Sequence, residues 1–253
     1  MKHMLIIGDS HTSKLSYTIK DYFKTKGITE CSEYSNNNTY VEYEIVKNIE
    51  NDKEIILSKK MSKKSIDISY DFINKETTAC FSSHPGRSAY NFNYNNYPNM
   101  LDWNHKNSLI IPWLGYIDIK NWLPKKELNN KKNAKEVVED YVNKTLNAFP
   151  NAKILFMEPL PQFIMFIQNG WANPKSDPNI DFEERYEQHY KFLDELYYQC
   201  KINNLSNPIN IRNILGEDMI NHNWQHKKIP LFLNDHMLPQ YYQKIIEYII
   251  EKT

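Results

Sequence analysis

The sequence predicts an α/β fold, a three-layer α/β/α sandwich with a central parallel sheet. Three observations carry this expectation. The apolar run Met4 to Ile7 stops at Gly8 and gives way at once to helical spacing, as a buried strand feeding a helix does. Ser108–Leu114 is a continuous apolar run with the length of a strand buried on both faces. Strand-like runs then alternate with long helical stripes, which implies parallel strands, right-handed crossovers and helices on both faces. With 253 residues the chain can bury such a core as one domain, 1–253, with a polar insertion around residues 28–78. No internal repeat or linker divides it.

The elements follow in order. Thr12 to Lys26 carries Leu15, Ile19, Tyr22 and Phe23 on one helical stripe and ends at Gly27. Residues 28–40 are polar and Asn-rich and read as a loop. Val41–Val46, Glu54–Leu57 and Ile66–Ile68 are short β-branched runs suited to strands or hairpins, and Ala79–Ser82 reads as a sheet strand. Asn133 to Phe149 is an amphipathic helix, with Pro150 beyond its end. Ala152–Met157 is the next buried strand, closed by Glu158-Pro159-Leu160-Pro161. Residues 162–178 mix large apolar side chains with Pro, Asn and Gly, and suit either packing on the domain edge or a lid. Phe182 to Asn203 is a long helix, Pro208–Ile211 a short last strand and Gln240 to Glu251 a C-terminal helix.

Composition excludes several classes of function. Basic and acidic residues both number 31, so the formal net charge is zero. No basic excess points to nucleic acid and no acidic excess to disorder. The mean hydropathy of −0.69 reflects abundant Asn, Lys and Tyr, because the apolar clusters stay compact. No apolar stretch approaches the ~20 residues of a membrane span, and the run after Met1-Lys2-His3 is too short for a signal-peptide core. The three cysteines are far apart, without metal spacing, which suits a reduced cytoplasmic protein. His222 and His226 stand four apart without an acidic partner, so no metal site is expected. No Gly-x-Gly-x-x-Gly or phosphate loop exists, so no cofactor is expected either, and a nucleotide-binding domain is disfavoured.

The chemistry centres on Gly8-Asp9-Ser10-His11. A serine at this turn sits at the C-terminal end of a parallel strand, where open α/β sheets place their ligands. Its backbone N–H lies at a helix N-terminus, suited to developing negative charge. Asp9 and Ser10 are also good N-cap residues, and capping alone accounts for such a pair. A serine nucleophile needs a base within hydrogen-bond reach. Of the eight histidines, His236 is the best placed, between a strand-like run at Ile229–Leu233 and the C-terminal helix; a cap or surface role is the alternative.

The ordered set of four motifs resembles the SGNH (GDSL-type) hydrolases. Gly8-Asp9-Ser10-His11 resembles their first block and His84-Pro85-Gly86-Arg87-Ser88-Ala89-Tyr90 their second. Trp113-Leu114-Gly115-Tyr116-Ile117-Asp118-Ile119-Lys120 resembles the third, and Asn234-Asp235-His236-Met237-Leu238 the last. Three of only six glycines (Gly8, Gly86, Gly115) fall in these blocks. The third block also resembles a divergent branch with a Gly-x-Ile-Asp-x-Arg pattern, here ending in Lys120, and Glu184-Arg185-Tyr186 fits that branch too.

The resemblance implies the flavodoxin-like fold of that family, with Ser10 as nucleophile, His236 as base and Asp235 as the acid that orients it. It also implies an oxyanion hole from the amides of Ser10 and Gly86. Asp9, Arg87, Tyr116, Asp118 and Lys120 are the candidate substrate-binding residues; Arg87 and Lys120 would equally suit ion pairs with Asp118 or Glu184. Trp113, Tyr116, Tyr90 and Trp122 could form a stacking wall for a sugar, although aromatics beside buried strands more often belong to the core.

Two departures stand out. The family places its aspartate three residues before the histidine, where this chain has Leu233, and its oxyanion asparagine where this chain has Ile117. The expected activity is removal of an acyl group, such as acetyl, from a glycan or small hydroxylated ester, with no nucleic-acid or membrane partner. The alternative is a weakly active or inactive protein of this fold that binds glycans or serves group transfer in polysaccharide metabolism.

Overall fold

The computed structural model describes residues 3–12, 14–15, 18, 34–35, 40–41, 44–48, 53–61, 68–73, 78–84, 86–96, 98–119, 123, 132–160, 182–215, 232–233, 236–237 and 239–252. Strand β1 (His3–Gly8) is the apolar run that opens the chain, and it sits between two parallel partners. These are β7 (Thr78–Ser83) and β8 (Ser108–Trp113). With β9 (Lys153–Ile154) they form four parallel strands in the order β7-β1-β8-β9.

Period-two alternation puts the β1 residues into two different cores. Leu5 and Ile7 pack with Ile110 against α1 (Ala134–Ala148) and α2 (Phe182–Ile202). Ile6 packs with Phe81, Leu109 and Ile111 against α3 (Ile211–Leu215) and α4 (Pro239–Lys252). Helices therefore cover both faces of the sheet, the expected three layers. Helix α1 begins as the spacing predicts, and Asn133 caps it: its side chain accepts from the Glu136 N–H, while Glu136 accepts from the Asn133 N–H.

The sheet is larger than expected. The polar insertion holds β4 (Glu44–Asn48), β5 (Lys53–Met61) and β6 (Ile68–Ile73), an antiparallel meander that pairs with β7 and extends the sheet to seven strands; of the expected run Ile66–Ile68 only Ile68 is among the described residues, as the first of β6. Within the predicted loop 28–40, Tyr34–Ser35 (β2) pairs with Tyr40–Val41 (β3).

Two strands are shorter than their apolar runs. Leu155 N–H donates to the Ile110 carbonyl and Met157 N–H to the Pro112 carbonyl, but Pro112 has no N–H to return, so the regular ladder of β9 ends at Ile154. The predicted last strand, Pro208–Ile211, reduces to a single bridge between Met157 and Ile209. Asn210 ends it by accepting from the Asn213 N–H at the start of α3. Most of the predicted helix 12–26 and all of segment 162–178 lie outside the described residues; helix is seen at residues 12, 14–15 and 18 of the first, and already at Ser10 and His11 before it. Among the described residues no helix is long and apolar enough to cross a membrane.

Candidate active site

Register assembles the site. Gly8, the last residue of β1, lies level with Ser83 of β7 and with Trp113 of β8. Neighbouring strands run about 4.8 Å apart, so three chain segments leave the sheet side by side at its C-terminal edge. One leads to Ser10, one to Gly86 and one to Gly115, which are the glycines and the serine of the first three motifs.

The turn after β1 is held from several sides. The Asp9 carboxylate is buried; its Oδ1 accepts from the His11 N–H at 2.9 Å, and its carbonyl accepts from the Thr12 N–H at 3.1 Å. Ser83 Oγ donates to the same Asp9 carbonyl at 2.9 Å, and His84 N–H donates to the Gly8 carbonyl at 2.7 Å. The exit of β7 is thus stitched to the exit of β1. Ser10 is half-buried and opens the helix, a position whose N–H has no intrahelical partner. Asp9 acts as a cap for this turn, the capping role that its residue type also allows.

His11, next to Ser10, is 1% exposed. Its Nδ1 lies 2.7 Å from Tyr242 Oη on α4, and its ring meets Tyr116 edge-on at 4.5 Å between centroids. Nothing local to His11 in the sequence signals this partner, 231 residues away.

The second and third motifs are joined by one carboxylate. Gly115 has a φ of +114°, and a Cβ there would meet the Phe192 ring at 2.7 Å, so the chain turns sharply away from β8 with α2 packed against it. A single helical turn follows at residues 116–119. From it Asp118, fully buried, accepts from the Ala89 N–H at 2.6 Å and the Tyr90 N–H at 3.0 Å. Burial raises its pKa to about 6, against the lowering effect of these hydrogen bonds and of Ser88. Asp118 was expected on the substrate or in an ion pair; it instead grips the backbone of the second motif. Gly86 stands on that loop, exposed, with a φ of +75° and open space around it, and Arg87 beside it is half-buried.

The aromatic residues are also redistributed. Tyr116 is 5% exposed and Trp113 3%, with Trp113 Nε1–H donating to the Glu158 carbonyl at 2.9 Å. Both belong to the core, the alternative reading for aromatics beside buried strands. Tyr90 remains half-buried, with Lys132 Nζ 5.9 Å from its ring centre. Lys120, Trp122 and Asp235 lie outside the described residues.

His236 falls in a hairpin. Strands β10 (Phe232–Leu233) and β11 (His236–Met237) pair antiparallel, with Leu233 directly opposite His236 and two residues between them. Helix α4 starts three residues after His236.

Farther along the same sheet edge lies an ion pair that sequence reading missed. Glu158, 1% exposed, accepts from Arg212 Nη2 at 3.1 Å and from Tyr197 Oη at 2.9 Å. His189 nearby is held neutral, its pKa lowered to about 3 by burial and by the Arg212 charge.

Comparisons with known proteins agree with this architecture. No family model matches the chain, and no curated protein is similar enough to match. Among solved structures, the chain is similar to LAE5, an alpha/beta hydrolase enzyme from the metagenome of Lake Arreo, Spain, with a TM-score of 0.52 at 10% identity. That likeness covers 99% of this chain and 94% of the other. At such identity it shows a shared fold. An acetyl xylan esterase, AlAXEase, aligns at a TM-score of 0.48 and 12% identity over 99% of both chains.

Proposed function

We propose that this protein is a serine ester hydrolase of the SGNH type that removes an acyl group, such as acetyl, from a carbohydrate or other small hydroxylated compound. The observation that carries this reading is the level register of β7, β1 and β8, which sets the Ser10 turn beside the Gly86 loop. In the proposed reaction Ser10 Oγ attacks the ester carbonyl while His236 takes its proton. The amides of Ser10 and Gly86 hold the oxyanion, and His236 returns the proton to the departing sugar hydroxyl. Water then attacks the acyl-serine, releasing the acid and free Ser10. Asp235 is the acid proposed to orient His236. Arg87 and Lys120 are proposed at the rim, on the substrate.

One observation favours a second reading, a weakly active protein of this fold that binds glycans or serves group transfer. Ile117, where the family carries its asparagine donor, packs against the hydrophobic core and brings no side-chain N–H. Losing one such donor costs about 10²–10³ in rate.

A fluorophosphonate probe followed by peptide mapping separates the two. Labelling at Ser10 that disappears in His236→Ala supports the hydrolase. A folded protein that stays unlabelled overturns it in favour of the second reading.

A further inference from the structure

The loop that carries Gly86 leaves β7 at Ser83 and re-enters the core at Ser88 and Ala89, both fully buried. Between them Gly86 is exposed and adopts a left-handed φ. Among the described residues no atom lies within 4 Å of where a Cβ on Gly86 would stand, so side-chain packing at that position does not hold the loop. The loop is held by its own backbone bonds, Arg87 N–H to the His84 carbonyl at 3.1 Å and Phe92 N–H to the Ser88 carbonyl at 3.0 Å, and by the carboxylate of Asp118, which takes the N–H groups of Ala89 and Tyr90 and is also bonded by the Ser88 side chain. Asp118 in turn stands one helical turn from Gly115, on the chain leaving β8.

We infer that Asp118 is a positioning residue for the reaction, holding the Gly86 amide in the oxyanion hole by gripping the chain two to four residues beyond it. This rests on the ester-hydrolase reading above. The geometry suits that role better than a simple structural one. Both carboxylate oxygens are spent on one three-residue stretch, and that stretch is where the loop re-enters the core just beyond Gly86. A carboxylate also does what an amide side chain cannot, since both its oxygens accept. A buried acid costs stability unless its hydrogen bonds repay it, so its presence here asks for a local purpose.

The groups facing Asp118 are Ser88 and the two amides from the loop, with the Tyr141 phenol of α1 close enough to feel its charge. Tyr141 is kept protonated by burial, its pKa well above the ordinary value, so it does not titrate alongside.

The test compares wild type, Asp118→Asn and Ser88→Ala on a short acyl ester, with amide NMR of Ala89 and Tyr90 followed against pH. Asn keeps the size of Asp118 but turns one acceptor into a donor. The expected result is a fall in kcat of about 10–10²-fold in Asp118→Asn, a smaller fall in Ser88→Ala, and KM within about threefold in both. The two wild-type amide signals should shift together with a midpoint near the Asp118 pKa, about 6, and lose that transition in Asp118→Asn. Folded Asp118→Asn with wild-type kcat would overturn the inference. So would Ala89 and Tyr90 amides that do not respond to pH in the wild type, a measurement that needs no variant to fold. If the wild type neither hydrolyses esters nor labels at Ser10, the hydrolase reading itself has failed and the inference falls with it; the amide titration then reports a grip with no reaction to serve.

Discussion

Gly8→Ala adds one methyl group at the point where three strands leave the sheet together. A Cβ on Gly8 would lie 2.6 Å from the carbonyl oxygen of Trp113 and press against Thr12 Oγ1. Ordinary contact begins at 3.4 Å, so β1 and β8 must part by most of an ångström or the Ser10 turn must shift. Neither neighbour yields cheaply: one is backbone in the parallel ladder and the other is fully buried. Overpacking of this kind costs about 1–3 kcal/mol. For a chain of this size that corresponds to a fall in Tm of about 2–12 °C. The proposed nucleophile Ser10 stands two residues beyond β1, and a misplacement of about 1 Å there is expected to cost on the order of 10²-fold in turnover.

Gly86→Ala is the control. Its Cβ meets open space, so the cost is confined to the left-handed backbone, about 1–2 kcal/mol, without any clash at the strand ends. Thermal unfolding and initial rates on a short acyl ester measure both variants. Gly8→Ala with unchanged Tm and unchanged turnover would refute the idea that close approach at this edge requires glycine.

Three further outcomes are expected. Tyr242→Phe removes the hydroxyl bonded to buried His11, at a cost of about 1–3 kcal/mol; a Tm within a degree of wild type would show that this tie contributes nothing. Asp118 binds its proton more tightly in the folded chain than at its ordinary value of 3.8, so its contribution to stability is complete below about pH 4 and is lost as pH rises through about 6, a change on the order of 3 kcal/mol. Denaturant titrations of wild type and Asp118→Asn across that window check the sign, because the pH-dependent part should vanish in the variant. Leu233→Asp places a carboxylate at the position directly opposite His236 in the hairpin, where cross-strand neighbours have Cβ atoms about 5 Å apart. It is expected to raise kcat by at least about tenfold; no gain would mean that another group already orients the histidine.

Local pattern was enough for the elements whose partners are dictated by their own faces. The run at Ser108 becomes β8, and the stripe from Val137 to Leu146 becomes the buried face of α1. The meander was harder to read, since Glu44–Asn48 and Ile68–Ile73 carry no mark of which strand they will join. Pairing is a property of two distant segments, and short β-branched runs specify it weakly. The site was legible as a set of motifs but less so in its roles. Asp9, Asp118 and Tyr116 have the chemistry of substrate contacts, yet Asp9 takes the His11 amide of its own turn, and Asp118 and Tyr116 meet an amide or a ring supplied from elsewhere in the chain. A polar side chain next to a motif looks the same in sequence whether it meets a ligand or a neighbouring loop. The pairing of Phe232–Leu233 with His236–Met237 was not read either, although two polar residues between short strand-like pairs are a sequence signal for a hairpin.

The meander also has a bearing on how the chain folds. Bringing β7 against β1 closes the chain between Gly8 and Thr78, and the stretch from Glu44 to Ile73 makes up much of that span. Loop-closure entropy grows only with the logarithm of length, so carrying the extra stretch adds about 0.5 kcal/mol to that closure. The three strands form consecutive hairpins and can zip up locally, before the distant ends meet. The sheet can therefore grow at this edge without slowing the docking of β1 much, and without moving the strands that carry the serine.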